Sequence, residues 1–177
     1  MPPPPRSPRG SGRPNEQSFA GLSGHPPSDR WTVCGQGHVH WGALGGAGLL
    51  LRYVPASGAA VFLLTQRSRT VDQPGTWGVP GGAIRAGETP EAAALREARE
   101  ELAVLPVYRI TSVEVQDCGG GWLFHLLQAD VDFPFTAYCG QETDATGWFT
   151  LGEMGHLTLH PGLQAFIAAA QARPSAP

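Results

Sequence analysis

Two apolar runs, residues 43–53 and 59–67, flank a Pro-Ala-Ser-Gly turn at 55–58, a pattern that predicts two adjacent strands forming a hairpin. Gly45, Gly46 and Gly48 in the first run suggest close backbone approach or a bulge. The stretch SRTVDQPGTWGVPGG after Arg67 reads as loop, with Trp77 turned into the core. A helix follows. Thr89 can cap it, Pro90 suits a first position that has no N–H to satisfy, and the Ala-, Arg- and Glu-rich run to Leu102 has high helix propensity. Beyond it, residues 109–116 and 121–131 read as two more strands around the turn Asp117-Cys118-Gly119-Gly120. Trp122, Phe124 and Leu126 alternate with polar positions such as His125, as on a strand with one buried face. The chain then predicts a loop carrying Glu142 and Asp144, a short strand through Trp148-Phe149-Thr150, and an apolar helix over 161–172. Strands and helices in this order do not alternate cleanly. They predict an α/β fold with a mixed sheet covered by helices on both faces.

Composition narrows the picture at the ends of the chain. Residues 1–29 are dominated by Pro, Gly, Ser and Arg and predict a disordered tail, whose Arg6, Arg9 and Arg13 read as solvated. One folded domain is expected over 30–173, with 174–177 disordered; 177 residues suffice for one substantial core. The formal net charge is −3, and all twelve cationic residues are arginine. A lysine Schiff base or a P-loop lysine is therefore excluded. From Trp31 onward thirteen acidic residues outnumber eight arginines, which predicts no nucleic-acid surface. Cys34, Cys118 and Cys139 are few and scattered, and no apolar segment is long enough for a signal peptide or membrane span, so the expected compartment is the cytoplasm, away from membranes.

The chemistry concentrates in GAIRAGETPEAAALREAREELAV, residues 82–104. Residues three and four apart share a helix face, so Glu97, Glu100 and Glu101 project to one side near the helix C-terminus. Three anions there repel one another and oppose the helix dipole. A cation must compensate. Arg96 cannot neutralise three carboxylates alone, whereas Mg²⁺ is ordinarily held by a few carboxylates together with substrate phosphates and water.

The spacing Gly82, five residues, Glu88, seven residues, then Arg96-Glu97-Ala98-Arg99-Glu100-Glu101 resembles the Nudix box, G-x5-E-x7-R-E-U-x-E-E-x-G-U, where U is bulky and apolar. Ala98 and Ala103 depart from it, at a bulky position and at the late glycine. The opening before the first strand also resembles that of some actinobacterial Nudix proteins. The resemblance implies a Nudix fold, an α/β/α sandwich, and Mg²⁺-dependent hydrolysis (with Mn²⁺ as a substitute) of a diphosphate linkage in a nucleoside diphosphate derivative. It further implies that Glu100 and Glu101 are the main metal ligands beside the Gly81 carbonyl, that Glu97 is a further ligand or the base, and that Glu88 and Arg96 form a bracing ion pair. An acidic residue six positions before an aromatic strand, here Glu142, approaches the metals in several relatives; a solvated loop glutamate is the competing reading. Arg52, Arg67 and Trp122 are candidates to meet substrate, the arginines through phosphate and the indole by stacking on a base.

Among substrates, position 120 is glycine and position 122 tryptophan, so neither the proline that marks ADP-ribose sub-families nor the tyrosine that marks dinucleoside polyphosphate ones is present. Leu63-Leu64-Thr65-Gln66-Arg67-Ser68 is similar to an element of the coenzyme A type, but Asp72 stands where that element has arginine. By elimination the expected partner is a small-molecule nucleoside triphosphate, as in MutT-like members. A sugar-nucleotide, ADP-ribose, coenzyme A or prenyl diphosphate substrate, a silent nucleotide-sensing domain, and a homodimer stay open.

Cys34, His38 and His40 raise a zinc ligand set. A structural site needs four ligands and no second pair stands at a recognisable spacing, so the two histidines read as the start of a strand or the rim of the pocket.

Overall fold

The computed structural model describes Ser28 and residues 30–172, with side chains to 168; the rest of the expected tail, its three arginines and the expected C-terminal disorder lie outside the described residues. The chain opens with a small hairpin, β1 (Trp31–Val33) against β2 (Val39–Trp41), which forms a sheet of its own. The main sheet follows from β3 (Gly46–Tyr53), β4 (Val61–Arg67), β5 (Trp77–Gly78) and β6 (Gly81–Ala83). After α1 (Pro90–Leu102) come β7 (Tyr108–Asp117), β8 (Leu123–Val131), β9 (Thr143–Thr150), α2 (Leu151–Met154) and α3 (Pro161–Ala172).

The path β5-β4-β3-β8-β7 carries β6 on β3 and β9 on β4. Only β3 and β8 run parallel, from Gly46 beside Phe124 to Arg52 beside Asp130, so the sheet is mixed. Successive side chains on a strand point to opposite faces, and β3 buries both. Ala47, Leu49 and Leu51 join Leu63, Leu127 and Ala129 under α1, which contributes Ala93, Ala94, Leu95, Ala98 and Leu102. Leu50, Phe62, Leu64 and Leu126 face the other way, onto Met154 of α2 and Leu163 and Ile167 of α3. Two covered faces explain why this strand reads as a continuous apolar run. Trp77 packs edge-on against Phe149 at the second face. The layers are helix, mixed sheet, helix, as the α/β reading required.

Three elements depart from the sequence expectation. The segment read as loop contains β5 and β6; β6 is Gly-Gly-Ala, which pairs through its backbone and leaves no side-chain pattern. β9 begins at Thr143 and so places Asp144 within a strand, because Thr-Asp-Ala-Thr-Gly is held by pairing with β4 rather than by apolar alternation. The residues around Cys34 form a hairpin, and its turn lies against the turn between β7 and β8, with Gly35 N–H donating to the Gly119 carbonyl at 2.9 Å. No helix among the described residues is long and apolar enough to cross a membrane.

Candidate active site

The loop from β6 to α1 is fixed by its own short contacts. Glu88 N–H donates to the Arg85 carbonyl at 3.0 Å across a turn in which Gly87 takes φ +83°, a left-handed conformation suited to glycine. Thr89 Oγ1 then accepts from Ala92 N–H at 3.1 Å, and Pro90 opens α1. This cap orients the helix so that its acidic C-terminal half returns over β6.

Arg96 joins loop and helix. Its Nε and Nη2 donate to the two oxygens of Glu88 at 2.7 and 2.9 Å, Nη2 also to the Ala83 carbonyl at 2.9 Å, and Nη1 to Glu97 Oε1 at 2.6 Å and Glu100 Oε2 at 3.4 Å. A planar guanidinium supplies five N–H donors in a rigid fork, and each of them finds an acceptor here. The hydrogen bonds from Arg96 hold the Glu88 carboxyl down at about 2, and burial opposes them only in part. Arg85, whose N–H donates to Glu88 Oε2 at 2.9 Å, also brings its guanidinium to 3.7 Å from Glu100. The sequence reading did not single out Arg85. Its signal was its place two residues before the Gly87 turn.

Glu97 and Glu101 face the glycines of β6. Glu101 Oε1 accepts from the Gly81 N–H at 2.8 Å. Glu97 lies over Gly82 so closely that a β-carbon there would meet its carboxyl carbon at 2.7 Å. Burial raises the pKa of both. Glu101 is pushed up to about 8, with Glu97 and Glu142 adding to the shift and the Gly81 N–H and Arg67 opposing it. For Glu97 burial is opposed by Arg96 and reinforced by Glu100. Partly buried carboxylates so arranged are an oxygen donor set short of positive charge, which a hard divalent cation fits.

Antiparallel pairing of β4 with β9 carries two further candidates to this cluster. Arg67 pairs with Thr143 across an irregularity at Gln66/Arg67, and Ser68 N–H donates to the Glu142 carbonyl at 2.9 Å. Both Arg67 and Glu142 are close enough to bear on the Glu101 charge. The other two candidates have partners of their own. Arg52 lies four positions along β3 from Gly48, which pairs with Gly81, and is held by Asp130 at 2.7 and 3.0 Å. Trp122 has one ring face stacked on His40 at 3.8 Å and donates Nε1–H to the Gly42 carbonyl at 2.8 Å.

A family model of the NUDIX domain matches residues 47–170, well over half of the chain. The chain belongs to the Nudix hydrolase family. A solved Nudix hydrolase of Mycobacterium smegmatis, RenU, is 31% identical, covers 84% of this chain and 99% of its own, and superposes with a TM-score of 0.68. A Caenorhabditis elegans Ap4A hydrolase, 22% identical over 72% of this chain and 96% of its own with a TM-score of 0.59, shares the fold. Among curated proteins, Mycobacterium tuberculosis "Putative 8-oxo-dGTP diphosphatase 3" is 38% identical over 144 residues, 77% of this chain. That match spans 66% of the mycobacterial protein's length. In this Nudix domain the late glycine of the box is replaced by Ala103, which takes φ +57° at the end of α1, and the bulky apolar position is filled by Ala98, fully buried against the sheet.

Proposed function

We propose that the chain hydrolyses the phosphoanhydride of a nucleoside triphosphate with Mg²⁺ as its cation, releasing nucleoside monophosphate and pyrophosphate. The observation that carries this reading is the seating of Glu97 over Gly82 and of Glu101 on the Gly81 N–H, with Glu100 joined to Glu97 through Arg96. Glu100, Glu101 and the Gly81 carbonyl would hold the cation, with Glu142 as a further oxygen donor; Mn²⁺ suits the same donors. When bound, such a cation neutralises phosphate charge and lowers the pKa of water.

The remaining work falls to the chain. Glu97 Oε1 is held by Arg96, which leaves Oε2 to take up the proton of the attacking water, and burial gives that carboxylate a raised affinity for it. Arg67 offers positive charge to a phosphate from the β4 side. Glu88 and Arg96 fix loop to helix, so the acidic face is ordered before substrate arrives. An oxidised purine triphosphate is the favoured substrate class, supported by the name of the mycobacterial relative.

The test is product analysis with Mg²⁺ against nucleoside triphosphates including 8-oxo-dGTP, ADP-ribose, a dinucleoside polyphosphate, coenzyme A and a prenyl diphosphate, with Glu101→Gln as control. Cleavage of a triphosphate between its α and β phosphates, lost in the variant, supports the proposal. Preference for another member of the panel replaces the substrate class, and nucleotide binding without cleavage replaces hydrolysis by sensing.

A further inference from the structure

The β1–β2 hairpin stands outside the main sheet, and little apolar burial holds it there. Val33 and Val39 are exposed, while Trp31 and Trp41 pack edge to face at 5.3 Å and each keep 41% of their surface in water. A two-stranded hairpin is marginal by itself. Its turn, however, carries metal-ligand side chains. Cys34 and His38 from that turn, His40 from β2 and Cys118 from the turn between β7 and β8 converge, with one ligand atom from each within 4.8 Å of all the others. Tetrahedral zinc, with Zn–S about 2.3 Å and Zn–N about 2.0 Å, sets its ligand atoms roughly 3.3–3.8 Å apart. A closure of about 1 Å completes the shell. The fourth ligand that the sequence did not reveal is supplied by Cys118, far along the chain.

The backbone is built for the same purpose on both sides. Cys34 N–H donates to the His38 carbonyl and Gly37 N–H to the Cys34 carbonyl, each at 2.9 Å, which closes a tight turn with Gly37 at φ +83°. Opposite, Cys118 is followed by Gly119, Gly120 and Gly121, all at positive φ. The turns interlock: Gln36 N–H reaches the Cys118 carbonyl at 3.2 Å, and a β-carbon on Gly35 would meet Gly120 N at 2.7 Å. His40 Nε2 is buried without a hydrogen-bond partner, the one such side-chain atom found among the described residues. A buried polar atom so stranded is costly unless a partner is supplied.

We propose that Cys34, His38, His40 and Cys118 form a structural zinc site that clamps the N-terminal hairpin to the β7–β8 turn. Two thiolates and two imidazoles suit zinc rather than the hard cation of the carboxylate cluster, and four protein ligands leave no open position for catalysis. Ligation through Nε2 would give the stranded His40 nitrogen its partner. His40 also stacks on Trp122, whose Nε1–H holds the Gly42 carbonyl, so the clamp orders the segment that leads into β3.

The experiment is metal analysis of the full chain purified under reducing conditions from zinc-replete cells. About one zinc per chain is expected, kept in Glu101→Gln and Cys139→Ser and lost in Cys118→Ser and His40→Ala. Because a ligand variant can fail to fold, the wild type is also loaded with Co²⁺; thiolate-to-cobalt charge transfer with tetrahedral d–d bands is the expected spectrum, displaced by Zn²⁺. Less than a tenth of an equivalent of zinc (roughly, against the four-ligand expectation), zinc undiminished in Cys118→Ser, an octahedral cobalt spectrum, or a Cys34–Cys118 disulfide in the unreduced protein would each overturn the proposal.

Discussion

The carboxylate of Glu97 rests on Gly82, with its Oε1 2.7 Å and its Oε2 3.0 Å from where a β-carbon would be. The first glycine of the box is thus a seat for a side chain fifteen residues later, where no other residue leaves room. Gly82→Ala can be absorbed only by moving Glu97. Displacement of a reacting group by about 1 Å can cost on the order of 10²-fold in rate. We expect kcat of Gly82→Ala to fall by about that factor while Tm changes by only about 2–3 °C, because the atom displaced is the end of a flexible side chain. Steady-state kinetics beside thermal melts check both halves; an unchanged kcat would remove Glu97 from the chemistry.

The Glu88–Arg96 pair predicts a pH dependence of stability. The Glu88 carboxyl titrates near 2 in the folded chain, below its ordinary 4.5. An acid whose pKa is depressed by folding contributes stability that is complete above the unfolded value and lost as pH falls through the folded one. The window is therefore about pH 4.5 down to 2. After discounting for solvent, the contribution at pH 7 is about 1–2 kcal/mol. Urea unfolding of wild type and Glu88→Gln should differ by that amount at pH 7 and converge toward pH 2.

How much of this was legible follows from where each signal lies. Helix α1 was read to its boundaries because Thr89, Pro90 and an alanine-rich run are local signals. The mixed sheet followed from the order of apolar runs. By contrast, Arg67 and Glu142 meet the acidic cluster only because β4 and β9 pair, and β6 carries no apolar pattern because two of its three residues are glycine. Cys118 reads in the sequence only as one of three scattered cysteines for the same reason: Cys34 is brought to it by folding.

Ala103 gives a prediction in the stabilising direction. It adopts φ +57° at the C-terminus of α1, donates its N–H to the Arg99 carbonyl at 3.1 Å and is exposed to solvent. A left-handed conformation costs an L-residue with a β-carbon roughly 1–2 kcal/mol, partly offset because glycine loses more freedom on folding. Ala103→Gly, the residue the box resemblance expects there, should raise stability by about 0.5–1 kcal/mol and Tm by roughly 1–4 °C. Thermal melts measure it, and a lowered Tm would contradict the capping argument.

Glu101 should trade stability for metal binding. Without a cation its carboxylate is desolvated and faces the charges of Glu97 and Glu142, while its hydrogen bond from Gly81 needs only an acceptor. Glutamine keeps that acceptor and removes the charge. In Mg²⁺-free buffer we therefore expect Glu101→Gln to be more stable than wild type by about 1 kcal/mol, as expected of a site whose like charges are retained for function. Added Mg²⁺ reverses the order. Binding to the folded state alone stabilises by RT ln(1 + [L]/Kd), about 2.7 kcal/mol at a hundredfold excess over Kd, and the variant lacks most of this gain. Melts of both proteins across a Mg²⁺ titration test the crossing; parallel curves would mean that Glu101 does not hold the cation.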